Sequence, residues 1–403
     1  MRGRDDDRGT TPDLATAPSR PSRDNEDANA ELVMRSPHQG DVLVEAEAVL
    51  GEPLLPEQAA EHGAPRSKAL AVLIGAALFV VGIVLVVLGA SALRNELVMN
   101  ARVAFVLVGL VLAYVGLARV VRGIWGPRTD VAFWLSVLWL VLLVGAALFA
   151  PVLPLGEAEN SAATLADPIN ARPELFSENP LGTNKLGLDM LARTIYGART
   201  SLMVALLAAL IGMTLGGTFG LISGYLRGAS DAVIGVVTNV LLAFPPLVLL
   251  LALAAVLPRT SRNQALALAL LVIPINVRLA RATTLSFAQR EFVLAARAIG
   301  AKRRRIMIGE LLPNVFVPLF SYAFIVIAVL IVAEASLSFL GLGIPPPSPT
   351  WGNMIAEGRN GVFEREPHLV LVPAGALFLT VLSFNLVGER MRARLASGKQ
   401  VEL

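Results

Sequence analysis

Few side chains in this sequence can perform covalent or redox chemistry. The 403 residues include no cysteine and three scattered histidines, His38, His62 and His368, so thiolate nucleophiles, disulfides and clustered metal ligands fall away together. The only Gly-Lys pair, Gly398 and Lys399, is followed by Gln400, which leaves no G-x4-G-K-[ST] loop to cradle a nucleotide's phosphates. The patterns H-E-x-x-H and G-x-S-x-G are absent too. No catalytic, cofactor-binding or metal-binding residue is therefore assigned. Two features remain. Glu334 is the only acid inside a long apolar run, and a carboxylate there is costly unless it faces a wet cavity or a partner. It either lines a polar path or braces helices near the outer surface. The second feature is the basic connector from Arg281 to Pro318, RATTLSFAQREFVLAARAIGAKRRRIMIGELLPNVFVP.

The start of that connector has helical spacing. Phe292, Ala295, Ala296 and Ile299 recur every three to four residues and form a small apolar face, leaving Arg290, Arg297 and Lys302 free to reach solvent. Gly300 permits a turn, and a second short helix is expected from Arg303 to Leu312, ending at Pro313.

The elements that position these residues follow from composition. Apolar residues make up 55% of the chain and charged residues only 16%, with a mean hydropathy of +0.65. Globular proteins carry about 25% charged residues, and a water-exposed protein of this size cannot hide so much apolar surface. Lipid is the solvent for most of the chain. About 20 residues are needed to cross the hydrocarbon as a helix, and eight runs qualify, near 69–93, 101–118, 131–153, 201–226, 232–257, 264–286, 314–340 and 369–388. Gly and Pro scattered among them suit membrane helices rather than a barrel.

Charge is unevenly distributed. Residues 1–65 hold fourteen acids against six arginines and read as a disordered acidic tail, not a signal peptide. The remainder holds 28 basic residues against 17 acids. These basic residues sit between apolar runs without aromatic interleaving, which argues for anionic lipid headgroups and against nucleic acid. With the N-terminus inside, the inner connectors carry eighteen Lys and Arg and the outer ones ten, so the positive-inside rule places both termini in the cytoplasm.

The connector resembles the EAA motif of ABC importer permeases, E-A-A-x3-G-x9-I-x-L-P, through Ala295, Ala296, Gly300, Leu312 and Pro313. Leu294 and Glu310 stand where that motif has Glu and Ile; Glu291 is a nearby acid, and Arg305 belongs to the same loop. Four further segments look like the C-type subunit of dipeptide, oligopeptide and nickel importers: NPLGTNKLGLDMLARTIYGARTSL from Asn179, LLAFPPLVLLLAL from Leu241, AEASLSFLGLGIPPPSPTWGNM from Ala333, and FLTVLSFNLVGERMR near the end. Together they cover about residues 130–395.

That resemblance implies an all-α polytopic protein of a bacterial plasma membrane with about eight transmembrane helices. Its organisation would be an acidic tail (1–65), two extra N-terminal spans (66–125), the family's first helix and an extracytoplasmic loop (126–198), a type I permease core with the coupling loop (199–390) and a cytoplasmic tail (391–403). It implies a second permease subunit forming a heterodimer, two ATPase subunits that bind ATP and magnesium, and an extracytoplasmic solute-binding protein that docks on outer loops 154–199 and 341–368. The coupling loop would fit a groove in the ATPase subunits, and Glu334 would either meet a peptide's ammonium group or act as a brace. Peptides are the favoured cargo, with nickel as the alternative. A proton-coupled transporter would place several ionisable residues in its spans, and a membrane scaffold leaves the basic loop unexplained.

Overall fold

The computed structural model of the chain describes residues 65–89, 99–126, 129–174, 177–359 and 362–398. The acidic tail expected at 1–65 lies outside the described residues apart from Pro65, as do residues 399–403. Among the described residues the structure is helical, with one isolated bridge, Thr183 to Asp189. Among the described residues seven helices are long and apolar enough to cross a membrane, or eight spans if one bent pair is counted as a crossing.

The chain divides into two compact units at Trp125/Gly126. The first contains α1 (Pro65–Val87) and α2 (Met99–Trp125). They pack antiparallel along glycines: a Cβ on Gly82 would lie 2.3 Å from the Ala113 nitrogen, and one on Gly116 would lie 2.4 Å from that of Phe79. Lipid supplies little hydrophobic drive between helices, so such backbone approach is what makes a membrane pair cohere.

The second unit begins with α3 (Val131–Phe149), capped by the Asp130 carboxylate on the Phe133 amide. Next comes α4 (Met190–Leu226), eleven residues longer at its start than the apolar run at 201–226. Asp189 accounts for the early start, because its carboxylate caps the amides of Leu191 and Ala192 at 2.9 and 3.2 Å. Burial pushes that carboxyl above its ordinary range, opposed by the same amides and by that of Gly156.

The run at 232–257 was expected to be one span and is instead two helices, α5 (Gly228–Ala243) and α6 (Pro246–Val256), meeting at 89°. Pro245 and Pro246 remove two amide donors, and Phe244 ahead of them is driven to extended backbone at φ −81° and ψ 133°. The chain then re-enters as α7 (Ser261–Phe287), followed by the short α8 (Glu291–Ala298).

Arg303 to Leu312 is not a separate helix ending at Pro313, as the sequence suggested. The turn α9 (Arg303–Arg305), a π-helical segment (Ile306–Leu311) and α10 (Leu312–Phe339) run on as one helical stretch. Pro313 cannot donate to the carbonyl four residues back, and its ring crowds that turn. The wider turn absorbs it, with the Leu312 amide donating to Met307, five residues back. Two short helices, α11 (Trp351–Glu357) and α12 (Val362–Arg365), lead into α13 (His368–Gly398).

The centre of this unit is the parallel pair α4 and α7. Gly212, Gly216, Gly220 and Gly224 form a row at intervals of four, and Val272, Asn276, Ala280 and Thr284 of α7 lie against them in the same order. A Cβ on Gly216 would stand 2.6 Å from that of Asn276, and one on Gly220 would stand 2.5 Å from that of Ala280. α10 runs antiparallel beside them, and α13 packs on α10 and on α3, with the Trp139 Nε1 donating to the Thr380 hydroxyl at 3.1 Å.

Candidate functional site

α8 is positioned from both ends. Glu291 lies in its first turn and Arg297 in its last, so both charges favour the helix dipole. The chain leaves through Gly300 at φ +79°, a conformation that side chains with a Cβ resist. The Gly300 amide donates to the Arg297 carbonyl, and the Ala301 amide to that of Ala296, both at 3.0 Å. This is a complete Schellman closure, and it fixes the angle between α8 and the helical stretch that begins at Arg303.

The face that α8 buries is not the one read from spacing. Val293 and Ala296 are inside, packed with Leu221 of α4, Ala280 of α7, Ile306 and Leu311 of the π segment, and Val315 of α10. Phe292 and Ala295 are exposed, and so is Ile299 at 83%. The discrepancy is physical, since α8 is apolar on two sides and only one can meet its own chain. Leu294 at 51% exposure extends the uncovered side. Arg297 adds a tie to α4 by lying over the Tyr225 ring, 5.3 Å from its centroid. Of the remaining coupling-loop residues, Glu291, Gly300, Arg305, Leu312 and Pro313 are all exposed on the same connector.

Displacement of α8 must therefore strain the ends of α4, α7 and α10 together. An exposed apolar strip thus shares this connector with the exposed Arg303, Arg304 and Arg305, and the opposite side of α8 is anchored in the bundle.

Glu334 lies elsewhere, towards the opposite end of α10, and is fully buried. It accepts hydrogen bonds from the hydroxyls of Ser201 on α4, at 2.8 Å, and Ser338, one turn on, at 2.7 Å. At that same end Arg193 is buried and donates to Glu357 at 2.5 Å and to the Ala158 carbonyl at 3.2 Å, tying the 150–189 loop to α4 and α11. Trp351 is also fully buried, with its Nε1 on the Thr194 carbonyl at 3.1 Å. Asn353 reaches back to the Thr350 amide at 2.9 Å in a capping box. Trp351 anchors the loop from inside, whereas Asn353 is half-buried at its edge.

Sequence reasoning missed one charged group. Arg278 and Arg281 were counted among the inner basic residues, although both fall in the run at 264–286 and lie within α7. Arg281 holds Asp231 of α5 in a two-pronged pair at 2.6 and 2.7 Å, and Ser223 of α4 donates to the same carboxylate at 2.5 Å. The available signal was an acid and two arginines bordering or interrupting neighbouring apolar runs.

These features define a class: a polytopic membrane protein whose short connector helix is anchored in the ends of its spanning helices. Residues 216–400 match the family described as binding-protein-dependent transport system inner membrane component. The dipeptide transport system permease protein DppC of Alkalihalophilus pseudofirmus is 34% identical over 261 residues, 65% of this chain and 85% of that protein. The di/tripeptide transport system permease protein DppC of Pseudomonas aeruginosa is 36% identical, covering 64% and 86% respectively. The glutathione transport system permease protein GsiD of Escherichia coli O157:H7 is 38% identical over 260 residues, 64% of this chain and 84% of that protein. The chain belongs to the family of binding-protein-dependent transport inner-membrane components. It is a non-catalytic permease subunit and works with other transport subunits.

Proposed function

We propose that this chain is one of two permease subunits of an ATP-driven importer for short peptides, glutathione-like tripeptides among them. Two ATPase subunits bind ATP and magnesium at the α8 end, which faces the cytoplasm together with both termini, and a solute-binding protein delivers peptide at the α11 end. The supporting observation is the construction of α8: one apolar side sunk into the ends of α4, α7 and α10, the other uncovered, and a Gly300 closure setting its angle. The peptide cargo is supported by the likeness to dipeptide, di/tripeptide and glutathione permeases.

The mechanism follows from those contacts. When the ATPase pair closes on ATP, a groove gripping Phe292, Leu294, Ala295 and Ile299 carries α8 with it. Val293, Ala296 and the Arg297–Tyr225 contact pass the movement to α4, α7 and α10. The glycine seam makes α4 and α7 move as one body, with α5 tied to it through Asp231, while the bend at Phe244 lets α6 reorient separately. Glu334 acts as a brace, its oxygens turned to Ser201 and Ser338.

Affinity purification in mild detergent followed by native mass spectrometry tests the assembly. The expected species contains this chain, a second permease and two ATPase subunits, and its ATPase activity rises with peptide-loaded binding protein. Recovery of this chain alone or as a homodimer, under conditions that keep a known importer intact, overturns the proposal.

A further inference from the structure

A cleft of about 430 Å³, lined by apolar residues such as Ile234 and Val277 and by the polar group Asp231, Asn239, Arg278 and Arg281, opens between α5 and α7, with Ser223 of α4 on its wall. Two arginines three residues apart on α7 face it, and their charges are used differently. Arg281 is neutralised by Asp231. Arg278 donates through Nη2 to the amide oxygen of Asn239 at 2.9 Å, and among the described residues no carboxylate forms an ion pair with it. The cleft thus carries one uncompensated positive charge.

Its position within a spanning helix makes that charge informative. Arg278 is exposed and lies nine residues, about 14 Å, before the end of α7. An arginine within the apolar length of a spanning helix is disfavoured against lipid, which favours water or a polar partner on this wall. The neutral Asn239 spends its oxygen on Arg278 and presents its NH2 side as a further donor. Most of the guanidinium's five N–H donors stay available in the planar arrangement that suits a carboxylate. A metal cation would be repelled from the same surface.

We propose that Arg278 and Asn239 form a carboxylate-binding subsite on the wall of the translocation path, which takes the C-terminal carboxylate of a passing peptide. It rests on the reading of this chain as a peptide permease. The Asp231–Arg281 pair holds α5 against α7 and so keeps the subsite in shape without adding net charge.

The test uses the permease–ATPase complex in nanodiscs without binding protein, so that selectivity from the delivery step is removed. The probe is radiolabelled alanyl-benzoylphenylalanine, photolysed as the free acid or the C-terminal amide. The free acid labels this chain about tenfold more than the amide at equal subsaturating concentration, the ratio expected of one charge-assisted contact. Arg278→Gln lowers acid labelling to the amide level, and Arg278→Lys keeps an intermediate preference. Equal labelling by acid and amide in a wild-type complex that imports the dipeptide refutes the subsite alone. Loss of the second permease from Arg278→Gln complexes in native mass spectra also refutes it, because Arg278 is then answered by a partner's carboxylate. Failure of the wild-type importer to take up any short peptide removes the peptide reading, and the subsite with it.

Discussion

Replacement of Gly300 separates backbone geometry from side-chain bulk in the α8 closure. A Cβ at this position meets nothing within 4 Å, so any penalty comes from φ +79° and not from collision. For an ordinary L-residue the left-handed conformation costs roughly 1–2 kcal/mol. Asn tolerates it better, and β-branched Val worse. One to two kcal/mol lowers the population of the closed form about 5- to 30-fold, and the loss of that form frees the angle at which α8 is presented. Variants with Asn, Ala and Val should retain ATPase subunits, and import peptide, in the order Gly, Asn, Ala, Val. Native mass spectrometry across a detergent series and uptake into proteoliposomes both read this order. Asn and Val are close in size, so equal damage by the two would show that space rather than φ governs the site. Wild-type behaviour of both Ala and Val would show that the closure does not position α8.

Three further outcomes are expected from contacts elsewhere in the bundle. Gly216→Val and Gly220→Val place carbons about 1 Å inside the ordinary 3.5–4.0 Å contact with α7; each should cost roughly 1–3 kcal/mol and lower the melting temperature of the detergent-solubilised chain, whereas Gly145→Val, with nothing within 4 Å, should not. Glu357→Gln leaves Arg193 without its ion-pair partner at a buried position and should destabilise by about 3–5 kcal/mol, while Glu366→Gln, whose contacts with the exposed Arg172 and with His368 are 4.0 and 3.7 Å long, should cost much less in the same melting assay. Glu334→Gln keeps one acceptor for Ser201 or Ser338 and leaves the other hydroxyl unpaired, a loss of about 1–3 kcal/mol, with substrate preference in uptake unchanged; an altered preference would refute the bracing role.

Hydropathy made much of this architecture legible and concealed its internal mechanics. Runs of apolar residues mark the spans because hydrocarbon admits little else, and among the described residues the extended runs fall on helices. The beginning of α4 was invisible to that criterion, since Arg193, Thr194 and Tyr196 belong to a helix stabilised by Asp189 and Glu357 rather than by lipid. The break at Phe244 was written in two prolines but carries no hydropathy signature. Likewise the Gly212–Gly224 row was readable as a repeat of four, yet its partner helix was not, because α7 offers a mixture of Val, Asn, Ala and Thr. At α8 the spacing of apolar residues identified a helix but not which side turns inward; Val293, absent from the expected face, is the one fully buried. The resemblance of the connector to a coupling loop singles out α8, and only the packing shows what that connector is fastened to.

The most direct measurement is peptide uptake into proteoliposomes holding the full complex, with ATP enclosed or omitted, binding protein present or absent, and a proton gradient imposed separately. Uptake that requires both ATP on the α8 side and peptide-loaded binding protein on the α11 side is the predicted result. Accumulation driven by the proton gradient with no ATP present would contradict the account.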